Sequence, residues 1–294
     1  MPNEDPVGLE YVGEIPTAEQ IVVALNKTGY LFEQKIAEIF SANGYIVATG
    51  RAFRDPDSGT SRELDVFASR TRIKKIPDDD YIVTSCRVIC ECKNNQSPLV
   101  FVARKKSTSD ILSVATGHTF PFAKKRTGEG ASLPTWETLE LGRLHYASRD
   151  PLIAGQVVRM ERKKEWVATN AGIYDSWIYP LAKAVVALQA SPVTIASVHR
   201  VDLVFPLIVT PSSMYIIDGT GDNPIPEPRD HVTLVRQLDG LNISGRFQID
   251  FVRADYLPHF IRTCINDFWM KVYNLGANDP DALTTGEEED KELE

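Results

Sequence analysis

Four residues have the types and spacing to do chemistry together: Glu33, Asp65, Glu91 and Lys93. In the segment TSCRVICECK, alternation along an extended strand sends Cys86, Cys90 and Cys92 to one face, so Glu91 and Lys93 stand side by side on the other. In RELDVFA, Leu64, Val66 and Ala68 form an apolar face, which puts Glu63 and Asp65 opposite. If the two strands are neighbours, their polar faces converge. Carboxylates gathered in this way raise one another's pKa unless a cation neutralises them. A hard divalent ion, Mg²⁺ or alternatively Mn²⁺, suits such oxygen ligands better than zinc. A lysine two residues from a ligand can orient or deprotonate an attacking water, or stabilise charge on a phosphorane-like centre.

The elements that must position these residues follow from periodicity. Phe32, Ile36, Ile39 and Phe40 predict a helix over Thr28–Asn43, stopped at Asn43-Gly44. At roughly 100° per residue, Glu33 falls on the margin of that apolar stripe. There it can reach a site edge or serve as an ordinary boundary glutamate. Strands are expected at Tyr45–Phe53 and Arg62–Ser69, joined by the turn-rich RDPDSGTS, and at Tyr81 to about Lys93. Leu99–Asn170 is irregular and reads as an insertion of about 99–170 with some structure of its own. A helix near Ser176–Gln189 and strands at Val201–Thr210 and Met214–Asp218 restore an αβ order. Strands near His231–Gln237 and Arg246–Arg253 precede a final helix from about Pro258, whose wide apolar stripe reads as core. No internal repeat is present.

The formal charge of −8 speaks against a nucleic-acid partner, yet its sign is set by the ends. Residues 1–20 carry five acids and no base, and 278–294 carry eight acids and one lysine, which reads as a disordered acidic tail. The body, 21–277, is left at +4. Lys105 and Lys106 lie in its most basic stretch and are candidate phosphate contacts. Asn95 and Gln96 can contact substrate or close the strand end. Same-face cysteines on a strand lie about 7 Å apart, awkward for a shared tetrahedral metal, so these read as reduced core residues. No apolar run is long enough to span a membrane, and the acidic start is no secretory leader, so a cytoplasmic protein is expected.

Taken together, the helix GYLFEQKIAEIF, the strand SRELDVFA and the strand VICECKNN resemble the core of the PD-(D/E)XK, or restriction-endonuclease-like, nuclease superfamily. The helix glutamate points to its methylated-DNA restriction (Mrr-type) and Holliday-junction-resolvase-like branches. The resemblance covers Thr28–Asn95 well and Ser176–Asp218 loosely. It implies an α/β fold of mixed α+β character, with an αβββαβ core (28–95 and 176–218), a central mixed sheet flanked by helices, an insertion, and a C-terminal extension at 231–275. It implies that Asp65 and Glu91 hold the metal with the backbone carbonyl of Cys92, that Lys93 positions the water, and that Glu33 binds the metal directly or through water. Leu64 stands where the family's nominal proline would be, and the interval from Asp65 to Glu91 is longer than usual. The expected function is then Mg²⁺-dependent hydrolysis of phosphodiester bonds, as a DNA endonuclease of restriction, defence or repair, with a homodimer compatible because duplex cleavage needs two cuts. The alternative is a catalytically inactive nuclease-fold module for nucleic-acid binding or protein assembly.

Overall fold

The computed structural model describes residues 15–126, 131–189, 197–221 and 223–287. The beginning of the acidic N-terminal segment and the end of the acidic tail lie outside these residues. Within them, the first helix, α1 (Ala18–Thr28), opens with a capping box between Thr17 and Gln20 and closes on Gly29, whose φ of 89° suits a glycine. No residue of α1 is buried. No helix is expected here from the sequence, although Ile21, Val22 and Leu25 share one helical face. The next, α2 (Tyr30–Ala42), buries Ile36, Ala37 and Phe40, the stripe expected from the sequence.

Eleven strands form one mixed sheet: β1 (Ile46–Arg54), β2 (Ser61–Lys75), β3 (Tyr81–Cys92), β4 (Leu99–Lys105), β5 (Leu152–Arg162), β6 (Trp166–Thr169), β7 (Val198–Thr210), β8 (Met214–Asp218), β9 (Glu227–Arg229), β10 (His231–Asp239) and β11 (Ser244–Arg253). Their spatial order is β1-β2-β3-β7-β11-β10-β5-β4-β8-β9, with β6 on β5. The first three strands form an antiparallel meander, and β7 lies parallel to β3 along nearly its whole length. Helix α3 (Tyr179–Gln189) precedes β7. The protein is therefore mixed α/β, with a large mixed sheet flanked by helices. Among the described residues no helix is long and apolar enough to cross a membrane.

Two expectations need correction. Leu99–Asn170 has a little structure of its own, a ladder of Lys124–Arg126 with Ser132–Pro134, but it also supplies β4, β5 and β6 to the central sheet and so is not set apart from it. Their partners β8 and β10 are distant in sequence, so local patterning holds no sign of the pairing. Nor is the chain from Asn278 uniformly a loose tail. Helix α4 (Asn266–Asn278) is followed by α5 (Asp281–Thr284), whose Ala282 and Leu283 are buried, and Lys125 Nζ donates to the Asp281 and Ala282 carbonyls at 2.8 and 2.7 Å.

Each face of the sheet carries its own core. On one side α2, α4 and the helical segments Leu257–Phe260 and Ile261–Ile265 that run into α4 pack on Val66, Ala68, Cys86, Val88, Cys90 and Cys92; on the other α3 packs on Leu64, Phe67 and Ile89. The cysteines are free and face the core, as their parity implied. The Cys90 and Cys92 sulfurs nevertheless lean together to 3.9 Å, closer than the strand pitch suggests. The stripe of the last helix is likewise buried: Phe268 and Trp269 are core residues, and the Trp269 indole donates to the Thr84 carbonyl at 3.1 Å.

Candidate active site

A break in the sheet makes the site. The β1–β2 ladder pairs Thr49 with Val66 and Arg51 with Leu64 but skips Gly50 and Asp65, and the β2–β3 ladder ends at Val66 and Cys90. Gly50 has φ 61°, in the left-handed region where a glycine is at ease. The kink also overturns the simple alternation expected for β2, because Leu64 packs with Phe67 and Ile89 rather than with Val66 and Ala68. Asp65 is thereby released from both neighbouring ladders. Its Oδ2 accepts the backbone N–H of Cys92 at 2.7 Å, a carboxylate in place of a ladder carbonyl. The end of β3 is held on its other side, where the Lys93 N–H donates to the Val209 carbonyl at 2.9 Å.

Around this point the charges bear on one another. Glu91 is buried, and its pKa is pushed up to about 7 by burial first, then by Asp65, against the opposing pull of Lys93. Lys93 Nζ stands 2.7 Å from Glu91 Oε2. Burial alone would lower the lysine, but Glu91 and then Asp65 outweigh it and hold Lys93 above its usual range. Burial also raises Asp65, despite the Cys92 N–H and Lys93. Glu33 is raised by burial and by Asp65, and lowered by Lys93. Its carboxylate folds back on the α1–α2 junction, with Oε1 3.7 Å from where a side chain at Gly29 would begin. Asn94 ties the same junction to the end of β3 through the Asn26 carbonyl at 3.2 Å. The four residues of the sequence constellation thus share one electrostatic cluster.

Could these residues hold a cation? Among the described residues no three His, Cys, Asp or Glu side chains converge closely enough for one ion, so Glu33 does not share a coordination sphere with Asp65 and Glu91. An all-protein cage is therefore not what the residues build. A half-buried Asp65 that raises the buried Glu91, with both carboxylates in the field of Lys93, does suit a hydrated Mg²⁺, which is commonly held through one or two carboxylates and keeps several waters.

The pKa pattern has a measurable consequence. Glu91, raised from an ordinary 4.5 to about 7, contributes stability that is present below the unfolded value and lost as pH rises through about 7. His118, buried and lowered from 6.5 to about 4, contributes stability present above 6.5 and lost as pH falls through about 4. Each shift corresponds to about 3 kcal/mol at most. Between the two unfolded values they oppose each other. Without divalent ions, Glu91→Gln should therefore steepen the rise in stability between about pH 4 and 6.5 and remove a decline towards neutral pH. Urea unfolding of both proteins in chelator across this range checks it, and parallel stability curves would show that Glu91 carries no such shift.

The other sequence candidates are placed differently. Asn95 Nδ2 donates to the Ser97 carbonyl at 2.8 Å and to Ser212 Oγ at 2.9 Å, so its amide closes the strand end. Gln96 lies exposed beside Asn94. Lys105 and Lys106 end β4 and follow it, five strands across the sheet from β3, and Lys106 turns inward to the Ala147 and Asp150 carbonyls. Neither lysine joins the cluster.

Sequence reasoning missed a buried ion cluster at the β1–β2 turn. Asp55, fully buried, receives Lys183 Nζ at 3.1 and 2.9 Å, the N–H groups of Asp57 and Ser58 at 2.9 and 3.2 Å, and the Arg62 guanidinium. Burial pushes its pKa up, but these donors more than reverse that and hold it below the carboxylate range. The available signal was a single lysine within the apolar helix YPLAKAVVALQ. Beside the cluster lies an open cleft of about 1000 Å³, lined by Arg51, Arg54, Arg87 and Arg200 among others, though by none of the four constellation residues.

Comparison of the chain with protein-family models, curated proteins and solved structures returned no match.

Proposed function

We propose that the chain is a Mg²⁺-dependent nuclease that hydrolyses phosphodiester bonds, with DNA the expected substrate. The observation that carries this reading is the coupling of Glu33, Asp65, Glu91 and Lys93 at the broken end of β2 and β3, where Asp65 raises Glu33 and Glu91 and Lys93 pulls all three carboxylates down. Such a set is poorly explained as an exposed ion pair, since Glu91 and Lys93 side chains are only 9% and 21% exposed. Further support comes from topology: with β4, β5 and β6 intervening between β3 and α3, the elements α2, β1, β2, β3, α3 and β7 follow the αβββαβ order that the PD-(D/E)XK resemblance implies, and β1-β2-β3-β7 are adjacent.

In this reading Asp65, Glu91 and the Cys92 carbonyl hold the ion, and Glu33 acts through its water shell. A bound Mg²⁺ would polarise a phosphoryl oxygen and acidify a bound water. The chain's own contribution is to keep Lys93 protonated, so that it serves as a hydrogen-bond donor and positive charge beside the reacting phosphate rather than as a base. Asp65 fixes the end of β3 through the Cys92 N–H and so sets where Glu91 and Lys93 emerge. The test is cleavage of plasmid and single-stranded DNA with and without Mg²⁺ by wild type and by variants at Asp65 and Lys93. Activity unchanged in both variants would sink the assignment.

A further inference from the structure

A second constellation, independent of the carboxylate cluster, lies under the segment between β4 and β5. His145 and Trp136 are 4% and 5% exposed, and both line a small cavity of about 20 Å³, close to what one water-sized sphere requires. The Ala147 N–H donates to His145 Nδ1 at 3.2 Å, so the neutral ring carries its proton on Nε2. Among the described residues that Nε2–H finds no acceptor, and neither does the Trp136 indole Nε1–H. Two buried donors are therefore unpaired at one cavity, where each unmet donor is expensive.

The rest of the lining adds two cationic side chains beside the hydroxyls of Ser113, Ser148 and Thr233 and the Gln248 amide. Lys106 and Arg246 also border the cavity, and the bonds they make are to backbone carbonyls: Ala147 and Asp150 for the lysine, Ser113 and Asp110 for the arginine. Neither has a carboxylate partner among the described residues. The one acid in the lining, Asp110, is neutralised by Arg104 at 2.7 and 2.9 Å. A water would accept from the two N–H donors but leave the charge of Lys106 and Arg246 unopposed, whereas an anion accepts from the same donors and also offsets that charge.

We propose that this cavity is a binding site for a single monatomic anion, a halide, held by the Trp136 and His145 N–H groups in the field of Lys106 and Arg246. A monatomic ion is the anion nearest in size to a space of about 20 Å³, and sulfate and phosphate are larger. The site joins the segment carrying Trp136 and His145 to Arg246 on β11, so an ion there would fasten that segment to the sheet and stabilise the fold by mass action.

Bromide is the probe. Crystals of the full chain grown in sodium bromide should show an anomalous peak within hydrogen-bonding distance of Trp136 Nε1 and His145 Nε2. In solution the melting temperature should rise with bromide or chloride against gluconate at fixed ionic strength. Trp136→Phe, which keeps an aromatic ring and removes the donor, should weaken the apparent halide affinity by roughly ten-fold or more, the loss of one hydrogen bond to a charged group. Lys106→Met should weaken it as well, which guards against a folding defect in either variant. Water in the cavity with no anomalous signal, an equal response to sulfate, or an unchanged halide response in both variants would each overturn the proposal.

Discussion

Asp65→Asn should lower Mg²⁺-dependent DNA cleavage by on the order of 10³-fold, comparable to losing a principal source of transition-state charge stabilisation, while leaving the melting temperature at or above that of wild type. The two effects separate because the substituted amide would keep an oxygen to accept the Cys92 N–H, now 2.7 Å from Asp65 Oδ2, yet carry no charge. The carboxylate it replaces is held above its usual pKa by burial, so in the ion-free protein the charge is a burden. Lys93→Met should remove a comparable share of activity by a different route. It strands Glu91, buried and paired at 2.7 Å, and should therefore also change stability and its pH dependence. Glu33→Gln should act more weakly, mainly by raising the Mg²⁺ concentration needed for half-maximal rate, because Glu33 stands outside the Asp65–Glu91 pair. Plasmid nicking and single-strand cleavage, each titrated with Mg²⁺, give the rates, and thermal melts in chelator give the stabilities. An Asp65→Asn protein that cleaves within about ten-fold of wild type would remove Asp65 from the machinery.

The cluster was legible because it depends on the two simplest regularities in the chain. Strand parity sets Glu91 and Lys93 against the core-facing Cys90 and Cys92, and helix angle sets Glu33 at the edge of the Phe40 stripe. The kink at Gly50 was not legible, since parity alone keeps Leu64 with Val66; the break arises from a backbone conformation that one glycine permits within β1. Non-local pairing was equally hidden. Nothing in LVFVARK states that β4 will lie between β5 and β8, because the partner strands are far away in sequence and their fit is a property of the closed sheet. The cavity at His145 shows a third limit: a histidine and a tryptophan in adjacent turns look like ordinary core, and only the hydrogen-bond inventory reveals that both keep an unmet donor.

Lys183→Met should destabilise the protein by about 3 kcal/mol, the lower part of the range for removing one partner of a buried ion pair. Lys183 is 9% exposed and lies within hydrogen-bonding distance of Asp55 at 3.1 and 2.9 Å and 3.0 Å from Asp57. Removing it leaves Asp55, which has no exposed side-chain surface, with Arg62 and two backbone N–H groups as its remaining donors. Those donors keep the loss from being larger. Replacing Asp55 by Asn in the same background keeps an acceptor for the turn and removes the stranded charge, so the double variant should recover part of the loss, with a coupling energy of about 1–3 kcal/mol in the cycle. The sign with pH is also set. Because Asp55 is held below its ordinary pKa of 3.8, its contribution is present above that value and lost as pH falls below it, so the wild-type and Lys183→Met stabilities should converge in acid. The cluster docks the β1–β2 turn on α3, and the same two strands carry Gly50 and Asp65. Any loss of cleavage in Lys183→Met should therefore follow the unfolded fraction and disappear at low temperature. A rate defect that persists when the variant is fully folded would instead place the arginine-lined cleft beside Lys183 in contact with substrate.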